Sequence, residues 1–136
     1  LRDLMRGDDQ EPVYVPTIAP DAFSALICPE CNEGYKKLVP AAQVASENKV
    51  AARVFLSLPF WFPGDSAPKV QAPTLVIAAA KDGLIPVGKV REVAKSLPNG
   101  EYVELPDADH FSPYTGPAFE QVVARQTAFF VKHLKP

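Results

Sequence analysis

The chain has 136 residues, 47% of them hydrophobic, which is enough to bury one core and predicts a single domain. Its net charge is −2 and its acidic residues are scattered, so neither nucleic acid nor a membrane surface is an expected partner. No apolar run approaches the ~18 residues of a membrane-spanning helix and no apolar signal core opens the chain, so the predicted location is cytoplasmic.

The first six residues resemble the last turns of an amphipathic helix, with Leu1, Leu4 and Met5 on one face. The chain also has no methionine at position 1. Both features lead us to expect that it comes from a longer protein.

The first half of the chain predicts short elements. Residues Val13–Ile18 are expected to be extended. Asp21 is a suitable N-cap for a short helix over Ala22–Ile27, and Glu33–Leu38 can add a further helical turn. The spacing of the apolar residues predicts a longer helix over Ala42–Leu58.

Cys28 and Cys31 form a single CPEC sequence. A metal site normally needs four ligands, and the sequence has no second cysteine pair or suitably spaced histidine pair. A redox CxxC is expected at a helix start that follows a strand, whereas the residues before this one predict a helix. We therefore expect two ordinary, unpaired cysteines in a turn. A local disulfide is the first alternative and a metal site the last.

Three consecutive aromatic residues, Phe60, Trp61 and Phe62, follow the longer predicted helix. Packing against a neighbouring element is the simplest explanation of this cluster. The functional alternative is that these side chains bind substrate as the wall of an apolar cleft. We expect the aromatic residues to lie near the end of a cap-like, helical or irregular segment, residues 1–66.

Residues 67–136 form the second predicted segment, in which strands and helices alternate. The apolar run Thr74–Ala80 predicts a strand buried on both faces, and a helical pattern covers Val87–Leu97. A second strand is predicted over Tyr102–Leu105, and an amphipathic helix runs from Pro117 or Ala118 to Leu134. The order strand, helix, strand predicts two parallel strands in a βαβ unit.

An acid and a histidine follow these two strands. Asp82 lies at the tip of the first strand, and His110 lies in the loop after the second. Because the carboxyl ends of parallel strands share one edge of the sheet, we expect the two side chains to lie close together. Taken alone, Asp82 belongs to an ordinary turn and His110 is an ordinary loop histidine. Together they predict the acid and the histidine of a Ser-His-Asp site.

Two parallel strands do not complete a sheet, because a parallel sheet needs several strands and a cover on both faces. The strand over Thr74–Ala80 has the composition of an interior strand, so one of its neighbours must come from elsewhere. We therefore expect half a domain, whose exposed apolar faces bind either a missing N-terminal half or a second copy of the chain.

Two stretches carry a resemblance to a known family. They are APTLVIAAAKDGLIP, from Ala72, and PDADHFSPYTGPAFEQVVARQTAFFVKHL, from Pro106. The second is similar to the patterns GHFDxYxG and FExxxxxQxxFLxxHL of bacterial α/β-hydrolases of the esterase and serine-aminopeptidase-like kind. The segment NKVAARVFLSLPFWFPGDSAPKV, from Asn48, resembles the one that follows the cap in those proteins. The resemblance implies an α/β fold: the C-terminal part of an α/β-hydrolase, with parallel strands flanked by helices.

The resemblance also implies roles for two residues. Asp82 matches the catalytic acid of the family, and His110 matches its catalytic histidine. The nucleophile precedes the acid in this fold, but the sequence contains no GxSxG. The serines upstream of Asp82 lack the flanking glycines of a nucleophile elbow; they are Ser24, Ser46, Ser57 and Ser66.

Asp109 departs from the family pattern, which usually has glycine before the histidine. We expect its carboxylate to point into solvent. As alternatives, it stabilises the protonated form of His110 or competes with Asp82 for that histidine.

These features predict the C-terminal portion of a serine hydrolase that acts on small-molecule esters or amides without a cofactor or metal. The chain alone is expected to be nearly inactive, because it lacks both the nucleophile and the oxyanion hole. The alternative is a non-catalytic half-fold that self-associates through its open sheet edge and binds a ligand in its aromatic cleft.

Overall fold

The computed structural model describes residues 10–41, 43 and 48–134, together with Met5. The chain forms two compact units, Leu1–Phe62 and Pro63–Pro136. The boundary lies slightly before the predicted division after residue 66, and the cap-like role of the first segment stays a prediction. Apart from Met5, the helix predicted for the first six residues lies outside the described part of the chain.

The first unit contains short elements. Strand β1 (Tyr14–Val15) pairs with β2 (Val50–Ala51) in an antiparallel arrangement. Helix α1 covers Cys31–Leu38 and helix α2 covers Val54–Ser57, after which a 3₁₀ turn spans Leu58–Phe60. The extended conformation predicted around β1 and the helical turn predicted within α1 are present.

The helix predicted over Ala22–Ile27 is wrong. Two of its backbone N–H groups bond to carbonyls nine residues earlier instead of closing helical turns. The amide of Ala25 donates to the carbonyl of Pro16 at 2.9 Å. The amide of Leu26 donates to the carbonyl of Thr17 at 2.8 Å. Because each amide has one hydrogen to donate, these two bonds exclude the helical hydrogen bonds that the local pattern predicts.

The longer helix predicted over Ala42–Leu58 is confirmed only at Val54–Ser57, because β2 lies earlier within this range. The side-chain amide of Asn48 forms two hydrogen bonds with the backbone of Ile18. Its Oδ1 accepts from the Ile18 amide at 2.8 Å, and its Nδ2 donates to the Ile18 carbonyl at 3.0 Å. These bonds keep the chain extended beside the β1 segment, so helix α2 starts late. Residues 42 and 44–47 lie outside the described residues.

Cys28 and Cys31 form a disulfide, with their Cα atoms 5.1 Å apart. The prediction of two unpaired cysteines is therefore wrong. The turn that leads into α1 brings the two residues within the Cα separation that disulfides normally span.

The second unit contains the predicted strand, helix, strand and helix. Strands β3 (Thr74–Ala79) and β4 (Gly100–Leu105) are parallel. Helix α3 (Val87–Ser96) connects them, and helix α4 (Gly116–His133) follows β4. The type and order of these four elements are confirmed, and their bounds lie close to the predicted ones.

Strand β3 has a hydrogen-bonded strand neighbour on one side only among the described residues. Ala78 is its one buried residue, whereas the sequence predicts a strand buried on both faces. Two strands are too few to shield a sheet fully, which accounts for the difference. A small core nevertheless forms where the sheet meets α4, and its members are Leu105, Ala108 and Val122, with Ile77, Ala79, Val103 and Ala118 packed around them.

Helix α4 is attached to the start of β4 at its C-terminal end. The side chains of Lys132 and His133 contact Glu101 Oε1 at 2.6 and 3.3 Å. The helix has 18 residues. In the described part of the chain, no helix combines the length and the apolar content that crossing a membrane requires.

Two glycines of the second unit test this packing. A Cβ at Gly100 would lie 2.8 Å from Leu97 Cβ and 3.0 Å from the Ala94 carbonyl oxygen. We expect Gly100→Ala to lower the free energy of unfolding by about 1–3 kcal/mol. A Cβ at Gly88, in α3, would meet no atom within 4 Å, so Gly88→Ala should raise it by about 0.5–1 kcal/mol. Urea titration measures both changes, and a Gly100→Ala chain as stable as wild type would contradict the close approach of α3 to β4.

Candidate active site

The loops that carry Asp82 and His110 follow β3 and β4 at the same edge of the sheet. Backbone hydrogen bonds continue beyond the two strands. The amide of Ala80 donates to the carbonyl of the last β4 residue at 3.0 Å, and the amide of Lys81 donates to the carbonyl of Ala108 at 2.9 Å. The two loops are therefore joined by their backbones directly beside the two side chains.

Asp82 and His110 are in direct contact. The Asp82 Oδ2 atom lies 2.9 Å from His110 Nδ1. The other carboxylate oxygen, Oδ1, accepts hydrogen bonds from the backbone amides of Leu84 and Ile85, each at 2.8 Å. Only 11% of the Asp82 side chain and 22% of the His110 side chain are exposed. The structure thus brings together the acid and the histidine that the sequence singles out.

The surroundings of Asp82 determine its charge. Burial acts to raise the pKa of its carboxyl group, whereas hydrogen bonds from Ile85, His110 and Leu84 act to lower it. The lowering prevails, so the pKa of Asp82 lies below its ordinary value and the group is ionised at neutral pH. An ionised carboxylate only accepts hydrogen bonds, so His110 Nδ1 is the donor and carries a proton. In the neutral ring, Nε2 is then the nitrogen that can take up a proton.

The Asp109 carboxylate is bound within its own loop rather than directed into solvent as expected. Its Oδ1 accepts from the amides of Phe111 and Ser112 at 3.0 and 2.8 Å, and from the Ser112 hydroxyl at 2.7 Å. The sequence analysis missed this role. The signal that indicates it is an aspartate followed three residues later by serine, a spacing that favours turns held by side chains.

An ion pair joins the same two loops. Lys81 Nζ lies 2.7 Å from Asp107 Oδ1, and both side chains are mostly exposed. The hydrogen bond from Lys81 lowers the pKa of the Asp107 carboxyl group. Because exposed ion pairs contribute little to stability, the backbone bond between Lys81 and Ala108 is the stronger connection between the loops.

The three aromatic residues lie in the first compact unit, whereas Asp82 and His110 lie in the second. Phe60, Trp61 and Phe62 are 83%, 66% and 65% exposed. Phe60 and Trp61 line a cavity of about 590 Å³ together with side chains of α2 and of the 3₁₀ turn after it. Contact of these aromatic side chains with substrate stays a prediction.

No serine hydroxyl in the described part of the chain hydrogen-bonds His110. Ser24 and Ser57 each donate to a backbone carbonyl close in sequence, and Ser66 is exposed in a 3₁₀ turn. Ser46 lies outside the described residues. The described residues also contain no group of three or more His, Cys, Asp or Glu side chains that could hold a metal ion.

The charge of Asp82 predicts a pH-dependent contribution to stability. The Asp82→Asn variant loses the carboxylate, while the asparagine Oδ1 can still accept from the amides of Leu84 and Ile85. Because the folded state lowers the pKa of Asp82 below 3.8, the carboxylate stabilises the fold above that pH. This stabilisation is lost as the pH falls through the lowered pKa.

We therefore expect the unfolding free energy of wild type to exceed that of Asp82→Asn at about pH 5, and the difference to shrink towards about pH 2.5. Urea titration of both chains across this range measures it. Asp107→Asn is the control, because it removes the carboxylate of a mostly exposed aspartate in the loop that carries His110. A wild-type advantage that does not change with pH would contradict the assignment of charge to Asp82.

The sequence is similar to two curated proteins. It is 35% identical over 127 residues to quorum-quenching protein AidA of Acinetobacter baumannii, and the matched region covers 93% of this chain and 41% of AidA. It is 43% identical over 61 residues to the putative non-heme bromoperoxidase BpoC of Mycobacterium tuberculosis, and the matched region covers 45% of this chain and 22% of BpoC. No protein-family model matches the sequence. The chain thus spans less than half the length of these relatives.

Solved structures show the fold. The DcsB complex with its substrate analogue matches with a TM-score of 0.72 and 18% identity, over 92% of this chain and 45% of that one. The α/β hydrolase GrgF from Penicillium sp. sh18 matches with a TM-score of 0.64 and 18% identity, over 93% of this chain and 44% of that one. At this identity the likeness shows the fold. Over most of its length the chain therefore has the fold of part of an α/β-hydrolase.

Proposed function

We propose that the chain supplies the acid and the histidine of a Ser-His-Asp triad in a serine hydrolase. The observation that carries this proposal is the 2.9 Å contact between Asp82 Oδ2 and His110 Nδ1 at the ends of two adjacent parallel strands. Asp82 has the properties that the acid of a triad needs, because it is ionised, largely buried and held by two backbone amides.

In this proposal, His110 Nε2 takes the proton of a serine hydroxyl as the serine oxygen attacks an acyl carbon. The same nitrogen then delivers that proton to the leaving group. Asp82 keeps the proton of the neutral ring on Nδ1 and stabilises the imidazolium that forms. General acid–base transfer of this kind accelerates a reaction by about 10²–10⁴-fold.

The proposed nucleophile belongs to a segment that precedes Asp82 in the chain order of this fold. The present sequence contains no GxSxG, and the chain spans 41% of the AidA relative, which leaves room for such a segment in a longer protein. Each missing oxyanion-hole donor raises the barrier by about 3–4 kcal/mol. The chain by itself should therefore be nearly inactive.

The proposed substrates are small-molecule esters or amides. The exposed aromatic residues Phe60 and Trp61, which line a largely apolar cavity, are the proposed wall for the acyl or leaving group. Phe62, the third member of the cluster, is proposed as part of the same wall.

We expect the 136-residue chain to hydrolyse a p-nitrophenyl ester no faster than its own His110→Ala variant. In a longer protein that joins this chain to a GxSxG segment, His110→Ala and Asp82→Asn should each lower kcat by about 10⁴-fold or more. His133→Ala and Asp107→Asn are the matched controls, since His133 pairs with Glu101 and Asp107 with Lys81. Unchanged kcat in the His110→Ala protein would rule out the proposed triad.

A non-catalytic, self-associating module is the second candidate, and an apolar cavity favours it. This cavity, of about 660 Å³, lies against β3 and α4, and its lining includes Leu75, Ile77, Phe119, Val122, Phe129 and Phe130. Phe119 and Phe130 are exposed in the chain alone. Exposed apolar surface of this kind is usually covered by another element. We propose that the missing half of the fold covers it in a longer protein and that a second copy covers it in the isolated chain.

Self-association of the isolated chain should therefore weaken when the cavity is made polar. Phe130→Glu removes a buried phenylalanine from the contact, worth about 1.5–3 kcal/mol, so the association constant should fall about 10- to 100-fold. The adjacent Val131→Glu is the matched control, because Val131 is exposed but is not among the cavity-lining residues. Light scattering over a range of concentrations measures the change. A wild-type chain that stays monomeric throughout would contradict the proposal.

A further inference from the structure

The loop that carries His110 lies outside the helices and strands of the fold. It lies between β4 and a 3₁₀ turn over Ser112–Tyr114. The ring of His110 must nevertheless keep its Nδ1 atom on Asp82, because a small change in ring orientation breaks a 2.9 Å hydrogen bond. The backbone conformation at His110 must therefore be fixed by contacts within the loop itself.

The N-terminal side of His110 is fixed by burial and by the sheet. Ala108 is buried, and its carbonyl accepts the bond from the Lys81 amide beyond the end of the ladder. On the C-terminal side, Phe111 is buried, and its ring meets that of His110 edge to face at a centroid distance of 5.0 Å. His110 therefore lies between two anchored neighbours.

Asp109, which precedes His110, is hydrogen-bonded to the two residues that follow it. Its Oδ1 accepts from the amides of Phe111 and Ser112 and from the Ser112 hydroxyl. Ser112 reciprocates, since its Oγ lies 3.2 Å from the Asp109 amide, which donates to it. This is the same exchange of side-chain and backbone bonds that closes a capping box at a helix start, and here it encloses His110.

We propose that Asp109 is a positioning residue that fixes the backbone of His110 so that Nδ1 stays on Asp82. The inference rests on the proposed triad and deepens it. The carboxylate of Asp109 acts through its three hydrogen bonds as an acceptor within the turn. An asparagine offers the same Oδ1 acceptor, so Asp109→Asn should keep these three hydrogen bonds.

Nitrogen-15 NMR of the histidine rings in the full 136-residue chain tests this, since it shows which ring nitrogen carries the proton. The wild-type ring of His110 should hold its proton on Nδ1 when it is neutral, because Asp82 accepts from that atom. Asp109→Ala should lose this preference, whereas Asp109→Asn should retain it. Ser112→Ala, which removes one donor and the reciprocal acceptor, should weaken the preference. Asp107→Ala is the matched control from the same loop and should leave it unchanged.

The possible results separate the two proposals. If the wild-type ring shows no preference for Nδ1, the Asp82–His110 pair itself is wrong and the proposed triad fails. If wild type shows the preference and Asp109→Ala keeps it, the triad stands and the positioning role of Asp109 is overturned. Asp109→Asn behaving like Asp109→Ala would overturn the acceptor role as well. Should Asp109→Ala fail to fold, Ser112→Ala decides, and an unchanged ring in that variant overturns the inference.

Discussion

The parallel pairing of β3 with β4 is the constraint on which the candidate site depends. Asp82 and His110 are 28 residues apart in sequence, and they meet because the two strands end at one edge of the sheet. The ladder continues for two backbone bonds past the strands, from Ala80 and Lys81, so the loops leave the sheet already joined. A side-chain contact at their tips then needs little further ordering, because the backbone has already lost most of its freedom.

The same contacts that stabilise the Asp82 carboxylate also determine its chemistry. A largely buried carboxylate is unfavourable unless it is hydrogen-bonded, and Asp82 receives two backbone bonds on one oxygen and the His110 ring on the other. These bonds outweigh the effect of burial and keep the group ionised. Because the carboxylate can only accept, His110 Nδ1 is the donor, and Nε2 is the nitrogen of the neutral ring that can take up a proton.

Fold and function rest on different observations in this chain. The likeness to DcsB and GrgF, each at 18% identity, shows the fold, and one fold serves many reactions. The proposal of acyl transfer rests instead on the contact between Asp82 and His110, and its nucleophile is proposed to lie in another segment. The exposed cavity against β3 and α4 does not distinguish the two candidate functions, because either the rest of the fold or a second copy of the chain would bury this apolar surface.

The sequence alone was enough to predict the four elements of the second unit and to identify Asp82 and His110 as a pair. From Thr74 to His133, strong periodicity and turn residues agree locally, so the four elements and the loops with Asp82 and His110 could be read in order. The first unit could not be read in this way. The amides of Ala25 and Leu26 bond to carbonyls nine residues earlier, and Asn48 bonds to the backbone of Ile18, 30 residues away. Neither kind of pairing leaves a periodic signal in the sequence. The tertiary structure alone decided the Cys28–Cys31 bond and the inward orientation of Asp109, because both depend on how the backbone turns, which residue type constrains only weakly.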